Sequence, residues 1–506
     1  MVGIIEALAV QIPDGPAFRE YAGATAVTPY LDDSEQKLHR KICGSLEDAI
    51  KRSGLKDGMT ISFHHAFREG DKIVLQVVDT LAKMGFSNLT LASSSLLNCH
   101  DPLIAHIKSG VITRIFTSGL RGELAEAISS GLMAHPVQIH SHGGRAHLIQ
   151  TGELKIDVAF LGVACADEFG NANGAHGKLN CGSLGYAKVD AEFARYVVVM
   201  TEEIVEFPNC PASLSQVHVD AVVKVKQVGD PELISVGAAR ITRNPRDLLI
   251  ARYAADVIEH SGYFKDGFSL QTGSGGASTA TTRCLEAKMQ ESGIKASFAL
   301  GGITGEIVDL HKKGLVKVLV DVQSFDADAA ESLRTSPTHV EISASEYANP
   351  TSKAAYVDHV DVVVLSALEI DLEFNVNVLT GGDGVMRGAS GGHCDVAAGA
   401  NLTIVVAPLV RSRIPTIIQK VTTLVTPGEC IDVLVTDQGI AVNPARADVA
   451  QRLKDAGLPV YTIQQLYEKG IALTGIPEPL EFSDKIVGIV RFRDGTVIDV
   501  VRKIAC

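Results

Sequence analysis

The chain has 506 residues, 46% of them hydrophobic, and sets 46 Lys and Arg against 59 Asp and Glu for a net charge of -13. A single core stops growing at about 250–300 residues, so two domains are expected. The absence of any Lys- or Arg-rich tract removes the electrostatic footprint of a nucleic-acid binder.

Nine scattered cysteines without a C-x-x-C pair argue against a disulfide framework or a zinc knuckle, and read as reduced thiols. The N-terminal MVGIIEALAVQIPDG is apolar but lacks a basic region and carries Glu6, which makes a poor signal peptide. No apolar run approaches the ~20 residues that span a bilayer. The expectation is a soluble, cytoplasmic protein that contacts neither membrane nor nucleic acid.

In chain order, the first half offers the buried strands MTISF, NLTLA, RIFTS, VAFLGV and YVVVM, with helices over 71–83 and 123–130 between them. The second half offers FSLQ, VKVLV, VDVVVLSAL, LTIVVAP and DVLVT. Continuous apolar strands alternating with helices predict an α/β fold, a mainly parallel sheet with helices on both faces. A helix over 448–456 and a hairpin in RFRDGTVID are expected near the C-terminus.

The two halves repeat one another. Lys56-Asp57-Gly58 precedes the first strand of one half and Lys265-Asp266-Gly267 that of the other. DVAFLGVACADEFGNAN, beginning at Asp157, lies over DVVVLSALEIDLEFNVN, beginning at Asp361, without a gap. The pairs Asp167 with Asp371, Asn171 with Asn375 and Asn173 with Asn377 fall in register. Such an ordered series implies duplication of one α/β domain. The turn-rich stretches at 208–216 and 228–237 put the boundary near 225, giving domains 1–225 and 226–506.

Glycine loops are the strongest candidates for chemistry. Thr272-Gly273-Ser274-Gly275-Gly276 follows a strand and opens a helix, where exposed amides favour an anion. It is neither G-x-G-x-x-G nor a P-loop. Gly381 to Gly384 and Gly388 to Gly392 form a second cluster between two strands, and their backbone N–H groups can stabilise an oxyanion. In the LGGITGE run, with Gly301 and Gly302, Glu306 is a carboxylate at a strand end, readable as a nucleophile or as a first-turn helix charge.

His135, His140, His142 and His147 have no carboxylate or thiolate partner at motif spacing, so no metal site is expected. Arg145, beside Gly143 and Gly144, is a possible bidentate carboxylate donor, although a solvated surface arginine is the commoner case. His64, His65 and Arg68 stand where the second half has its first glycine loop, so the copies have diverged.

The paired halves, TGSGGAS, LGGITGE, SALEIDLEFNVNV and GGHCDVAAGANLTIVVAPL resemble the CoA-transferase superfamily. With GVACADEFGNANG in the first half, the likeness is nearest to the citrate lyase α-subunit family and covers nearly the whole chain. The resemblance implies two NagB/RpiA-like domains and acyl exchange, acetyl-acyl-carrier-protein plus citrate giving citryl-acyl-carrier-protein plus acetate. It further implies a β subunit that cleaves the citryl thioester and a γ carrier bearing a phosphoribosyl-dephospho-CoA arm, for which acetyl-CoA is a surrogate. No cofactor is expected on this chain itself, and self-association into a homo-oligomer is expected.

Many CoA-transferases carry a nucleophilic Glu in an S-E-N-G-type loop; here Gly301, Gly302, Ile303 and Thr304 stand at about that place, with Glu306 displaced. The departure suits direct attack of a citrate carboxylate on the acetyl thioester through a mixed anhydride. On this reading Gly391 and Gly392, with Glu306 as the carboxylate candidate, serve catalysis. Gly273, Ser274, Gly275, Gly276, Gly301 and Gly302 bind the thioester, and Arg145 or Arg387 grips citrate. The alternatives are a stand-alone CoA-transferase or acyl-CoA hydrolase with a covalent Glu306 intermediate, or a non-catalytic carrier-binding subunit.

Overall fold

The uninterrupted apolar runs build two large sheets. The computed structural model describes residues 41–235, 242–273 and 275–505. The first sheet orders its strands Ile42–Cys43, Ala221–Lys224, Tyr196–Thr201, Val158–Gly162, Thr60–Phe63, Leu89–Ser93, Ile112–Thr117, Val137–Ile139, Phe482–Arg491 and Val497–Ile504. The second runs His339–Glu341, Val316–Ser324, Ala296–Ile303, Ser269–Thr272, Val362–Ser366, Leu402–Val406, Val433–Thr436, Gly439–Val442 and Val460–Tyr461. Within both, neighbouring strands are parallel except at the hairpins 482–504 and 433–442. Strands such as Val158–Gly162 and Leu402–Val406 are buried along their whole length, because helices cover both faces; the one polar side chain in these two, Thr403, donates its hydroxyl to Ala397 O at 3.2 Å.

The repeat is visible atom by atom. Asp157 Oδ2 accepts the N–H of Thr60 at 2.8 Å, and Asp361 Oδ2 accepts that of Ser269 at 3.0 Å. Asp167 Oδ1 collects the N–H groups of Phe169, Gly170 and Asn171, while Asp371 Oδ1 collects those of Glu373 and Asn375. Gly58 and Gly267 both sit at φ +84°, the left-handed turn that makes glycine the third residue of each Lys-Asp-Gly.

The last strand of the first sheet before the crossover ends at Lys224, and the second half opens on helix Pro245–His260. The C-terminal hairpin departs from the sequence-based division. Strand Phe482–Arg491 pairs in parallel with Val137–Ile139, extending the first sheet instead of the second. Its Gly488, Ile489 and Val490 register on Val137, Gln138 and Ile139, so the chain end staples the two halves together. Among the described residues no helix is long and apolar enough to cross a membrane.

Candidate active site

The carboxyl ends of the second sheet's central strands deliver the glycine loops to one region, as expected of ligand loops in α/β folds. Helix Gly276–Ser292 starts without a side-chain cap at Gly275, so its first-turn amides have no intrahelical partner. A β-carbon at Gly275 would lie 2.7 Å from Ser366 Oγ, at the end of strand Val362–Ser366. Ser366 in turn accepts a hydrogen bond from His393 Nε2 at 3.1 Å through its carbonyl. His393 opens the helix directly after Gly391 and Gly392. The two glycine clusters are therefore joined through Ser366 and His393. On the other side, Gly301 lies against the Gln271 side chain, and Gln271 Nε2 donates to Tyr347 Oη at 2.9 Å. A β-carbon at Gly392 would stand 2.5 Å from that same phenol oxygen.

The first half faces this cluster with aromatic and imidazole side chains. His65, His142 and Tyr186 stack with ring centroids 4.4–5.6 Å apart. Gly391, at φ +54°, places its Cα hydrogens toward His142, whose Nε2 would lie 3.7 Å from a β-carbon there. The seam is held by His142 N donating to Gly391 O at 2.8 Å and by Gln323 Nε2 donating to His65 O at 3.2 Å. Asp395 closes it from below, accepting Ser141 Oγ at 2.6 Å and Gly143 N at 2.9 Å.

Burial sets the protonation states. Desolvation holds His142 at about 3 and His393 at about 4, with the neighbouring Arg145 charge adding to the effect at His142. His65 is pushed down by the same desolvation and by His142. These imidazoles are neutral near pH 7 and offer N–H donors without a fixed positive charge. Desolvation raises the Asp395 carboxyl to about 6, against the hydrogen bonds from Ser141 and Gly143. Burial keeps the Tyr347 phenol protonated.

The structure places the remaining sequence candidates as follows. Glu306 begins helix Gly305–Lys312 and is gripped by Arg283, whose Nε donates to Oε2 at 2.8 Å and whose second nitrogen meets Oε1. Arg145 is neither solvated nor turned to the seam. It is 3% exposed and bidentate to Asp190, at 2.6 and 2.9 Å, so the carboxylate it meets is the protein's own. Arg387 is exposed, paired with Asp383, and lines a cavity of about 270 Å³ with Gly381, Gly382 and Arg411. Gly302 packs on the Phe325 ring, and Ser274 lies outside the described residues. Sequence reasoning did not single out Gln271, Tyr186, Tyr347 or Asp395; of these only Asp395 had a signal, as the Asp of the GGHCDVAAGA stretch that carries the family resemblance. Among the described residues no three His, Cys, Asp or Glu side chains converge as metal ligands.

The family model described as citrate lyase, alpha subunit (CitF), matches residues 39–504. The citrate lyase alpha chain of Klebsiella pneumoniae is 65% identical over 484 residues, covering 96% of this chain and 95% of that one. A Streptococcus mutans structure, assigned as the α subunit of citrate lyase and solved in complex with citrate, is 52% identical with a TM-score of 0.91. That match covers 95% of this chain and 93% of the other. A 4-hydroxybutyrate CoA-transferase from Porphyromonas gingivalis shares the fold alone, at 17% identity and a TM-score of 0.54 over 85% of this chain and 97% of that one. Matched from end to end of its described residues, and at this level of identity, the chain belongs to the citrate lyase α-subunit family.

Proposed function

We propose that this chain exchanges acyl groups between a carrier thioester and citrate, as a transferase of the CoA-transferase type. A carboxylate oxygen of citrate attacks the acetyl thioester carbonyl; the C–S bond breaks, the thiolate leaves, and a mixed anhydride forms. The thiolate then attacks the citryl carbonyl of the anhydride, the C–O bond breaks, and acetate departs. Atoms balance without a group from the protein entering a covalent bond. The chain's task is alignment and stabilisation of the two oxyanions, each such donor set contributing several kcal/mol in organised sites.

The observation that carries this reading is the seam itself. Uncapped amides at Gly275 and Gly276 and the Gly391-Gly392 turn supply donors from one half, and neutral imidazoles face them from the other. Glu306, held by Arg283, is left as a helix-start charge. Gly273, Ser274, Gly301 and Gly302 complete the thioester side in this proposal, and Arg387 borders the neighbouring cavity. The donor is the phosphoribosyl-dephospho-CoA arm of a γ carrier, a β subunit consumes the citryl thioester, and the complex works in the cytoplasm as an oligomer.

The test is acetate release from acetyl-CoA by the purified chain, followed by mass spectrometry. Citrate-dependent release with citryl-CoA formed is expected. Release that proceeds without citrate means hydrolysis and ends the transferase reading.

A further inference from the structure

Arg68 differs from every other buried cation described above. It is 6% exposed and sits on the loop after strand Thr60–Phe63, three residues beyond His65 of the seam. Its backbone holds φ +54°, a left-handed conformation unusual for a residue with a long side chain. Only one side-chain nitrogen is engaged, donating to Ile234 O at 2.7 Å. Nε and the other terminal nitrogen are buried without a hydrogen-bond partner, and no carboxylate lies within ion-pair distance among the described residues.

The same chain shows what that edge does when it is engaged. Arg283 uses Nε and its second terminal nitrogen as a fork on Glu306, and Arg334 uses the same pair on Glu331. Both of those pairs are surface contacts. At Arg68 the equivalent fork is inside the protein, where an uncompensated charge is far more unfavourable. The acidic groups nearest it are committed elsewhere. Asp326 accepts Gly305 N and Ala329 N, and Asp321 accepts Ser324 Oγ and His339 Nε2 through one oxygen. The second Asp321 oxygen has no hydrogen bond. Burial draws the guanidinium down from its ordinary value, with Cys181, Asp326 and Asp321 opposing.

We propose that the buried Nε edge of Arg68 binds a carboxylate of the tricarboxylate acceptor in a bidentate pair. The identity of that acceptor rests on the acyl-exchange reading. A planar fork with two parallel N–H groups matches two carboxylate oxygens, and a lysine does not reproduce it. Arg68 holds one end of the acceptor from the first half, while the glycine turns of the second half receive the thioester. This explains why the duplicated loops diverged: His64 to Arg68 where the other copy has Gly273 to Gly276.

The test is calorimetric binding of citrate and of acetyl-CoA, separately, to the full chain and to Arg68→Met and Arg68→Lys, with thermal unfolding of each. Citrate affinity is expected to fall about 30-fold or more in both variants, the range for removing one partner of a buried charge pair. Acetyl-CoA affinity is expected to stay within about twofold, and the unliganded Tm of Arg68→Met to stay level or rise. Loss of acetyl-CoA affinity with citrate retained would assign the fork to a phosphate and overturn the proposal. A lower Tm with citrate affinity unchanged would make Arg68 a brace to Asp321 and overturn it equally, as would loss of both ligands together. The acyl-exchange reading fails separately: wild-type chain that binds citrate but releases no acetate sinks that reading and leaves the Arg68 result standing.

Discussion

Asp395 accepts a hydrogen bond from Ser141 Oγ at 2.6 Å across 254 residues of sequence. The carboxylate of the second half thus caps helix His142–Thr151 of the first, taking Gly143 N as well, at the end where helix dipoles favour negative charge. Asp395→Ala leaves a hydroxyl and an amide unpaired in a dry seam and is expected to cost about 2–4 kcal/mol. Asp395→Asn removes the charge and keeps one of the two acceptor oxygens, so the pH dependence of its difference from wild type reports the ionisation. The folded carboxyl, at about 6, is raised above its unfolded value of 3.8, so its contribution is present below the unfolded value and lost as pH rises through the folded one. The wild-type advantage over Asp395→Asn should therefore shrink by up to about 3 kcal/mol between about pH 4 and pH 7, read by denaturant unfolding. A difference that does not change with pH would remove the buried carboxyl from this account.

The histidines of the seam and core act in the opposite sense. His64, His65, His140, His142 and His393 are all lowered by desolvation, His142 to about 3 and His393 to about 4. A base lowered in the folded state contributes stability above its unfolded value near 6.5 and loses it as pH falls toward the folded one. Each adds about 1.4 kcal/mol per pH unit to the slope in that window, so together they outweigh Asp395. The chain should lose stability steeply from about pH 6.5 to 4.5, and His393→Gln should reduce the slope by about one proton. A flat profile over that range would contradict the buried, neutral assignment.

The fold was legible because its strands are buried on both faces. Runs such as VAFLG and LTIVV leave no alternating pattern to misread, and the Lys-Asp-Gly turns and Asp-x₃-Asn pairs repeat in register. The hairpin in RFRDGTVID was visible locally, but its partner was not, since strand Val137–Ile139 lies more than three hundred residues earlier and no local pattern encodes such a pairing. In the site, Gly391 and Gly392 could be suspected from their spacing. Tyr347 and Gln271 could not: each is a single unremarkable residue whose meaning comes from the other. The surroundings of Arg145 were illegible for a related reason, because burial beside Asp190 depends on a helix placed by the fold rather than on its glycine neighbours.

Gly392 and Tyr347 should be energetically coupled. A β-carbon at 392 would approach the phenol oxygen to 2.5 Å, displacing it from Gln271 Nε2. Gly392→Ala is expected to slow acyl exchange by about tenfold to a hundredfold through misalignment of the turn. Tyr347→Phe removes the oxygen and leaves the Gln271 amide unpaired, costing about 1–3 kcal/mol of stability. The double variant should recover part of the Gly392→Ala loss, with an interaction energy of about 0.5–3 kcal/mol in a double-mutant cycle. Strict additivity would mean that the two residues do not share the contact.

Glu306 offers the sharpest division between direct exchange and a covalent route. Its carboxylate is occupied by a fork from Arg283, which is itself about half exposed. Solvent screens such a pair, so Glu306→Gln should cost less than about 1 kcal/mol of stability. If citrate supplies the nucleophile, the same substitution should leave the rate of citrate-dependent acetate release within about threefold of wild type, since no reacting bond has lost a partner. Incubation with acetyl-CoA followed by borohydride should then give no CoA adduct or reduced side chain at this position by mass spectrometry. A thioester trapped on Glu306, with a rate loss of about a thousandfold or more in Glu306→Gln, would require Arg283 to release the carboxylate during turnover and would move the chemistry from citrate to the protein.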